Sequence, residues 1–352
     1  MKYLLIDTSN MFFRARHQAH RASDTWTKLG FAIHLTMMSA NKVAQKFGAD
    51  HVVFCLEGRS WRKDHYKPYK ANRAVARAAM NDEQAEEDKL FWETYDELTK
   101  YLSTKTNCSV LRCATAEADD LIARWIALHP QDEHVIVSSD SDFVQLVAPN
   151  VQLFNGINDH LFTPNGVFDD KGRKLTFTIE SNSKIKVGKA NADFETPVDY
   201  QKWVLFMKCM RGDPGDNVFS AYPGVRVKGT KNQVGLTEAF EDRDRKGYAW
   251  NNLMLQRWLD HNQAEHKVID DYERNRTLID LTAQPDDIKH TVDSVIREQI
   301  SHRDIGMVGA HFMKFCGRYD LIKLSEHADT IGRWLNKTYQ GVLDDSSTAS
   351  SS

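Results

Sequence analysis

Short continuous apolar runs recur along the first half of the chain, separated by stretches of helix length. Tyr3 to Ile6 ends on Asp7, Val52 to Leu56 ends on Glu57, and Val135 to Val137 is followed, two serines later, by Asp140. Runs of this kind predict buried parallel strands, and an open α/β sheet binds ligands beyond the carboxyl ends of its strands. Three strands therefore deliver carboxylates to one crevice. Residues 30–47 carry apolar positions at helical spacing, and Leu90, Phe91, Tyr95, Leu98 and Leu102 form a second amphipathic stripe, so both segments are expected to cover the sheet. A third helix is expected after Thr115 as N-cap, running through Leu121, Ile122, Trp125 and Ile126 to a stop at Pro130.

From Val151 to about Thr196 the texture changes to short β-like runs broken by Asn155-Gly156, Asn165-Gly166 and Lys171-Gly172 turn signals, which read as a β-hairpin insertion or connecting flap. From Tyr200 to about Gln340 the periodicity is helical, around Trp203, Leu205, Phe206, Trp250, Leu253 and Trp258. The expected organisation is an α/β domain over 1–199 with its β-rich insertion at 151–196, a helical lobe over 200–340, and a Ser-rich, disordered tail over 341–352.

Composition narrows the class. A chain of 352 residues with 41% hydrophobic content can bury a core of about two domains. No apolar run is long enough to span a bilayer, and the first strand begins too early for a signal peptide, so a cytoplasmic protein is expected. The five scattered cysteines fit neither a disulfide framework nor a thiolate zinc site. They are read as reduced and buried. The net charge of −3 gives no global basic signal, so any polyanion surface must come from local segregation.

That segregation is strong. Nine acids stand in motif-like contexts: Asp7, Glu57, Glu117, Asp119, Asp120, Asp140, Asp142, Asp213 and Asp216. Buried like charges need a cation, and an all-oxygen set without a His/Cys cluster points to Mg²⁺ or Mn²⁺. More acids than one Mg²⁺ requires suggest two ions, about 3.5–4 Å apart, which suits phosphodiester hydrolysis. Helical spacing places Glu117 and Asp120 on one face and turns Asp119 about 100° from Asp120.

Arg59 to Arg77 holds Arg59, Arg62, Lys63, Lys67, Lys70, Arg73 and Arg77 against one acid, Asp64, interleaved with Trp61, Tyr66 and Tyr69. Cations among aromatics suit single-stranded nucleic acid. Asp82 to Asp88 then swings acidic, as an exposed helix face. Lys171 to Lys189 has six basic residues against Glu180 and reads either as a polyanion contact or as a solvated loop. Gly224 and Gly229, with Arg226, Lys228 and Lys231, form a glycine-rich turn where backbone amides can approach a duplex phosphate.

Leu5-Ile6-Asp7-Thr8-Ser9-Asn10, Tyr69-Lys70-Ala71-Asn72-Arg73, Glu117-Ala118-Asp119-Asp120, Asp140-Ser141-Asp142-Phe143 and Gly212-Asp213-Pro214-Gly215-Asp216-Asn217 before Pro223-Gly224-Val225, in this order, resemble the 5′-nuclease family. The resemblance covers most of residues 1–235. It is strongest to the phage 5′-exonuclease or ribonuclease H enzymes. It implies a PIN-like parallel-sheet core, a basic arch over about 58–90, and a helix-hairpin-helix element at 224–229 that grips duplex DNA with a bound K⁺. It further implies a two-ion Mg²⁺ nuclease acting at 5′ ends, flaps, nicks and RNA:DNA primers in phage replication. Such an enzyme is expected as a monomer that meets a single-strand-binding protein or sliding clamp.

The resemblance makes Glu117 and Asp119 ligand positions and Asp120 an additional acid, where helical spacing favours Glu117 and Asp120. All three remain candidates. Lys70 and Arg73 would steer the scissile phosphate, with Tyr69 available to stack. Where the family has Asp, this chain has Glu57, whose extra methylene leaves open a direct or an outer contact to metal. An Asp-nucleophile phosphatase would need a second Asp two residues after Asp7, where Ser9 stands. A PIN-type ribonuclease would not need the arch or the duplex anchor, and a non-catalytic binding protein would have no need of these acids.

Overall fold

The computed structural model describes residues 1–18 and 25–344; most of the expected tail, 345–352, lies outside the described residues. Strands β1 (Lys2–Asp7), β2 (His51–Leu56), β3 (Ser109–Arg112), β4 (Glu133–Val137) and β5 (Val151–Asn155) are parallel, in the order β3-β2-β1-β4-β5. Asp7 lies opposite Cys55, and Ile6 opposite Val137. The register therefore brings Asp7, Glu57 and the loop carrying Asp140 to one edge, as the apolar runs predict.

The segment read as a β-hairpin insertion or connecting flap is a run of antiparallel hairpins that extends this sheet. Strands β6 (His160–Thr163), β7 (Gly166–Phe168), β8 (Lys174–Ile179) and β9 (Ile185–Ala190) add on as an antiparallel meander after β5, giving nine strands. Turn signals mark where a hairpin reverses, but not what its first strand pairs with. Here β5 pairs with β4, which carries the whole meander into the sheet.

Helices α1 (Thr8–Gln18), α2 (Thr25–Phe47), α3 (Arg62–His65), α4 (Ala71–Ala78), α5 (Asp82–Lys105) and α6 (Ala118–Leu128) fill the first half. Leu4, Ile6, Val52 and Phe54 face α1, α2 and α5 in one core, whereas Tyr3, Leu5, Val53 and Cys55 face α6 in another. Alternate residues of each strand are buried on opposite faces, which is why the strands read as unbroken apolar runs. All five cysteines are buried and free.

The helical region departs from a single lobe. Helices α7 (Tyr200–Arg211), α8 (Leu236–Glu241) and α9 (Tyr248–Met254), the small hairpin β10 (Arg257–Leu259) and β11 (Glu265–Lys267), and α10 (Val268–Ile279) enclose a core of their own around Phe206, Met210, Leu236 and Trp250. The chain then returns to the sheet. Helix α11 (Asp286–Gln299) places Val292 and Ile296 in the α6-side core. Helices α12 (Val308–Arg318), α13 (Ile322–Ser325) and α14 (Ala328–Leu335) place Phe312, Leu324, Ile331 and Trp334 in the other core. Arg124 clamps α11 through Asp293 at 2.6 and 2.7 Å. The unit expected over 200–340 thus divides near residue 280, because the cover of the sheet's two faces is completed only by α11–α14. Among the described residues no helix is long and apolar enough to cross a membrane.

Candidate active site

Asp7 ends β1 with its carboxylate buried, accepting from the Ser138 hydroxyl at 2.8 Å and the Asn10 amide at 3.2 Å. Glu57 follows β2 directly and accepts from the Ala118 amide at 3.3 Å. The next residue must be glycine, since a Cβ on Gly58 would stand 1.9 Å from the Cys113 carbonyl oxygen. Burial raises the Asp7, Glu57 and Asp119 carboxyls, and Asp119 is raised further by Asp7, Asp140 and Glu57. Glu57 reaches about 7, from burial first and then from Glu117 and Asp7, against the pull of Lys70. These groups repel one another because they share one desolvated space.

Helix α6 begins later than expected, with Glu117 rather than Thr115 as its N-cap. Glu117 is extended, φ −85° and ψ 166°, so the helical-wheel argument linking it to Asp120 does not apply. Asp120 reaches back to the Glu117 amide at 3.0 Å and is fully buried. Its oxygens also accept two bonds from Arg62 at 2.9 Å, one from Trp61 Nε1 at 3.1 Å and one from Gln284 at 2.8 Å. Asp120 thereby shares Arg62 Nη1 with Glu117, which accepts from it at 3.1 Å.

Two lysine ammoniums each hold a pair of the remaining carboxylates. Lys70, itself in the left-handed region at φ 53°, contacts Glu117 and lies 3.5 Å from Asp216. Burial would raise Glu117, but Lys70 and Arg62 outweigh it and bring the carboxyl down to about 2. The Tyr69 hydroxyl sits 3.0 Å from an oxygen of each of Glu117 and Asp216, so its single proton serves one of them at a time. Arg73 reaches Asp216 at 2.8 Å.

In the second group, Lys208 of α7 contacts Asp142 and lies 3.0 Å from Asp213. Burial and Asp140 raise Asp142 to about 6 against Lys208, whereas at Asp213 Lys208 overcomes burial and lowers the carboxyl. Asp140 accepts from the Asp142 amide at 2.9 Å and caps the short 3-10 helix Ser141–Leu146. Among the described residues, no three His, Cys, Asp or Glu side chains converge as a ready-made coordination sphere. Four of the eight acids besides Asp120 are paired with lysines instead, Glu117 and Asp216 with Lys70, and Asp142 and Asp213 with Lys208. The donors are nonetheless all carboxylate oxygen, which suits a hard divalent cation.

Comparison with known proteins decides the family. Residues 2–172 match the model of the 5′-3′ exonuclease, N-terminal resolvase-like domain. Over this stretch the chain carries the N-terminal domain of the 5′-nuclease family. A flap endonuclease Xni of Shewanella loihica is 25% identical over 243 residues, covering 68% of this chain and 77% of that protein. A 5′-3′ exonuclease of Mycoplasmopsis pulmonis is 24% identical over 244 residues, 68% of each chain. Among solved structures, the phage T5 5′-exonuclease with bound divalent zinc shares the fold, with a TM-score of 0.56 at 18% identity over 85% of this chain and 99% of that one. The phage T5 flap endonuclease in a complex with DNA and metal ions has a TM-score of 0.54 at 18% identity, over 95% of this chain and all of that one.

The basic segment of this 5′-nuclease divides by exposure. Arg59, Lys67, Arg73 and Arg77 face solvent. Arg62 and Tyr69, expected to touch nucleic acid, are 2% and 4% exposed and bind Asp120, Glu117 and Asp216 instead. Trp61 is likewise turned inward. A buried carboxylate costs more than a surface aromatic or guanidinium gains, so the acids recruit the nearest donors. At the glycine-rich turn, Arg226, Lys228 and Lys231 are exposed, and Gly224 is open and left-handed at φ 76°. The Gly229 amide is not free to meet a phosphate, because it donates to the Glu238 carboxylate at 3.0 Å. Glycine is required there for close approach, since a Cβ would lie 2.5 Å from the Gln233 carbonyl oxygen.

Lys208 escaped the motif reading. Its signal was a lysine among Val204, Phe206, Met207, Cys209 and Met210, all buried, where an ammonium needs an acidic partner.

Proposed function

We propose that this nuclease hydrolyses phosphodiester bonds at 5′ ends, flaps and RNA:DNA primers with two divalent ions, Mg²⁺ by preference and Mn²⁺ in its place. The observation that carries this reading is the gathering of eight carboxylates about two lysines, Lys70 between Glu117 and Asp216 and Lys208 between Asp142 and Asp213. Asp7, Glu57, Glu117 and Asp119 would hold one ion, and Asp140, Asp142, Asp213 and Asp216 the other. Bound ions would supply an activated water and offset charge developing on the phosphoryl oxygens. Lys70 and Arg73, at the rim beside Asp216, orient the phosphate by charge. Asp120 acts through Arg62, holding the start of α6 so that Glu117 and Asp119 keep their places.

Helix α4, with Arg73 and Arg77 exposed one turn apart, forms the base of an arch over single-stranded substrate, together with Arg59 and Lys67. Arg226, Lys228 and Lys231 grip duplex backbone beside Gly224 and Gly229, with K⁺ held at the turn. The DNA and metal ions of the T5 flap endonuclease complex support this assignment. The role is primer removal in phage replication, by a monomer in the host cytoplasm that meets a single-strand-binding protein or sliding clamp. Digestion of 5′-labelled flap, nicked, blunt and RNA:DNA substrates with and without Mg²⁺ tests the reading. Cleavage confined to 5′ ends and junctions, and only with the ion, is expected; metal-independent cleavage, or none, would overturn it.

A further inference from the structure

The edge of the sheet reaches the acid site. The turn between β8 and β9, Asn182-Ser183-Lys184, lines the same cavity of about 370 Å³ as Arg73, Asp140, Asp142 and Asp213. The turn is fixed in place. The Ser183 amide donates to the Glu180 carbonyl at 2.9 Å, the Glu180 amide to the Lys184 carbonyl at 2.8 Å, and the Lys184 amide to Asn182 Oδ1 at 3.1 Å. Ser183 is buried and left-handed at φ 65°. Behind it, Phe177 of β8 packs on Tyr200 at the start of α7, the helix that carries Lys208. The hairpin and the acid site therefore belong to one rigid frame.

The charge on this hairpin is unpaired. Lys184 and Lys186 are both exposed, and among the described residues neither forms an ion pair, although Lys184 borders a cavity with several carboxylates. In contrast, Lys70 and Lys208 are each bound to two acids. Ile185 and Val187 point into the core below, so Lys184 and Lys186 share the outer face, about 6.6 Å apart along the strand. Two cations at this pitch, leading away from an acid site, suit successive phosphates of one strand.

We infer that the β8–β9 hairpin is a rail for the nucleic-acid backbone, with Lys184 contacting the phosphate nearest the cavity and Lys186 the next. This rests on the nuclease reading above and adds its substrate path. The same chemistry serves a single-stranded 5′ segment or one strand of a duplex. The test measures affinity for a single-stranded oligonucleotide and for a duplex, in EDTA, as a function of salt, for the wild type, K184A/K186A, K184R/K186R and K171A. Lys171 lies in the turn at the other end of β8, about 20 Å away.

The double alanine variant is expected to lower the slope of log affinity against log salt by about 1.4 on the single strand if that strand is the occupant, or by about 1.8 on the duplex if the duplex is. Arginine should restore the slope, and K171A should leave it unchanged. An unchanged slope in K184A/K186A, or an equal loss in K171A, overturns the rail while leaving the nuclease reading intact. Failure of the wild type to cleave any 5′-labelled substrate with Mg²⁺ overturns both.

Discussion

Glu57 gives the sharpest test of the acid cluster, because its carboxyl is raised from an ordinary 4.5 to about 7 by burial and by its acidic neighbours. Glu57→Gln keeps the shape and the acceptor for the Ala118 amide while removing the charge. Between about pH 4.5 and 7 the folded metal-free protein retains a proton that the unfolded chain has released. Stability therefore falls as pH rises through this window, and above it the rise from 4.5 to about 7 corresponds to a loss of roughly 3 kcal/mol. Denaturant unfolding in EDTA at a series of pH values should show this loss in the wild type. Asp7, Asp119 and Asp142 contribute with the same sign, so the informative quantity is the difference between the two curves. The variant should be equal to the wild type near pH 4.5 and more stable above pH 7. Added Mg²⁺ should then stabilise the wild type more than the variant. Parallel curves for the two proteins, or equal stabilisation by Mg²⁺, would refute the reasoning.

Asp142→Asn should abolish Mg²⁺-dependent cleavage while leaving flap affinity in EDTA nearly intact, measured by anisotropy; an equal loss of binding would assign Asp142 a structural role. Asp119→Asn should suppress cleavage without lowering metal-free stability, because it removes a charge that its neighbours repel. Arg62→Met strands the buried Asp120 and should cost about 3–5 kcal/mol by chemical denaturation. A loss below about 1 kcal/mol would show that Gln284 and Trp61 suffice for Asp120. Lys70→Ala should slow single-turnover cleavage by about 10²-fold or more with little change in duplex affinity, and an unchanged rate would remove Lys70 from the reaction.

Three of the five parallel strands, β1, β2 and β4, were legible because burial on both faces leaves a local mark, an unbroken apolar run, and each of these runs named its own acid; β3, four residues ending on Arg112, left no such mark. The meander of β6–β9 was legible as hairpins but not as part of that sheet, since pairing β5 with β4 is a long-range choice. Within Glu117-Ala118-Asp119-Asp120, spacing alone misled. Helical periodicity assumes that Glu117 is already helical, and the cap geometry breaks that assumption one residue before α6 starts. Arg62, Trp61 and Tyr69 were read as a surface because cations and aromatics in a row look solvated or substrate-facing. Their burial follows from Asp120 and Glu117, acids more than 45 residues away in sequence. Lys208 belongs to the same class, a charge whose partner sits 66 residues earlier.

The return of α11–α14 to the sheet has a consequence for biosynthesis. Every carboxylate and lysine of the acid site lies before residue 217, yet both faces of the sheet that positions them are completed by residues 286–335. At about 5–20 residues per second, synthesis of the stretch from 217 to 335 leaves the finished set of site residues on a partly covered sheet for roughly 6–24 s. During that interval the nascent chain carries the site's side chains without the full cover of its sheet, so synthesis of α11–α14 sets when the site becomes competent.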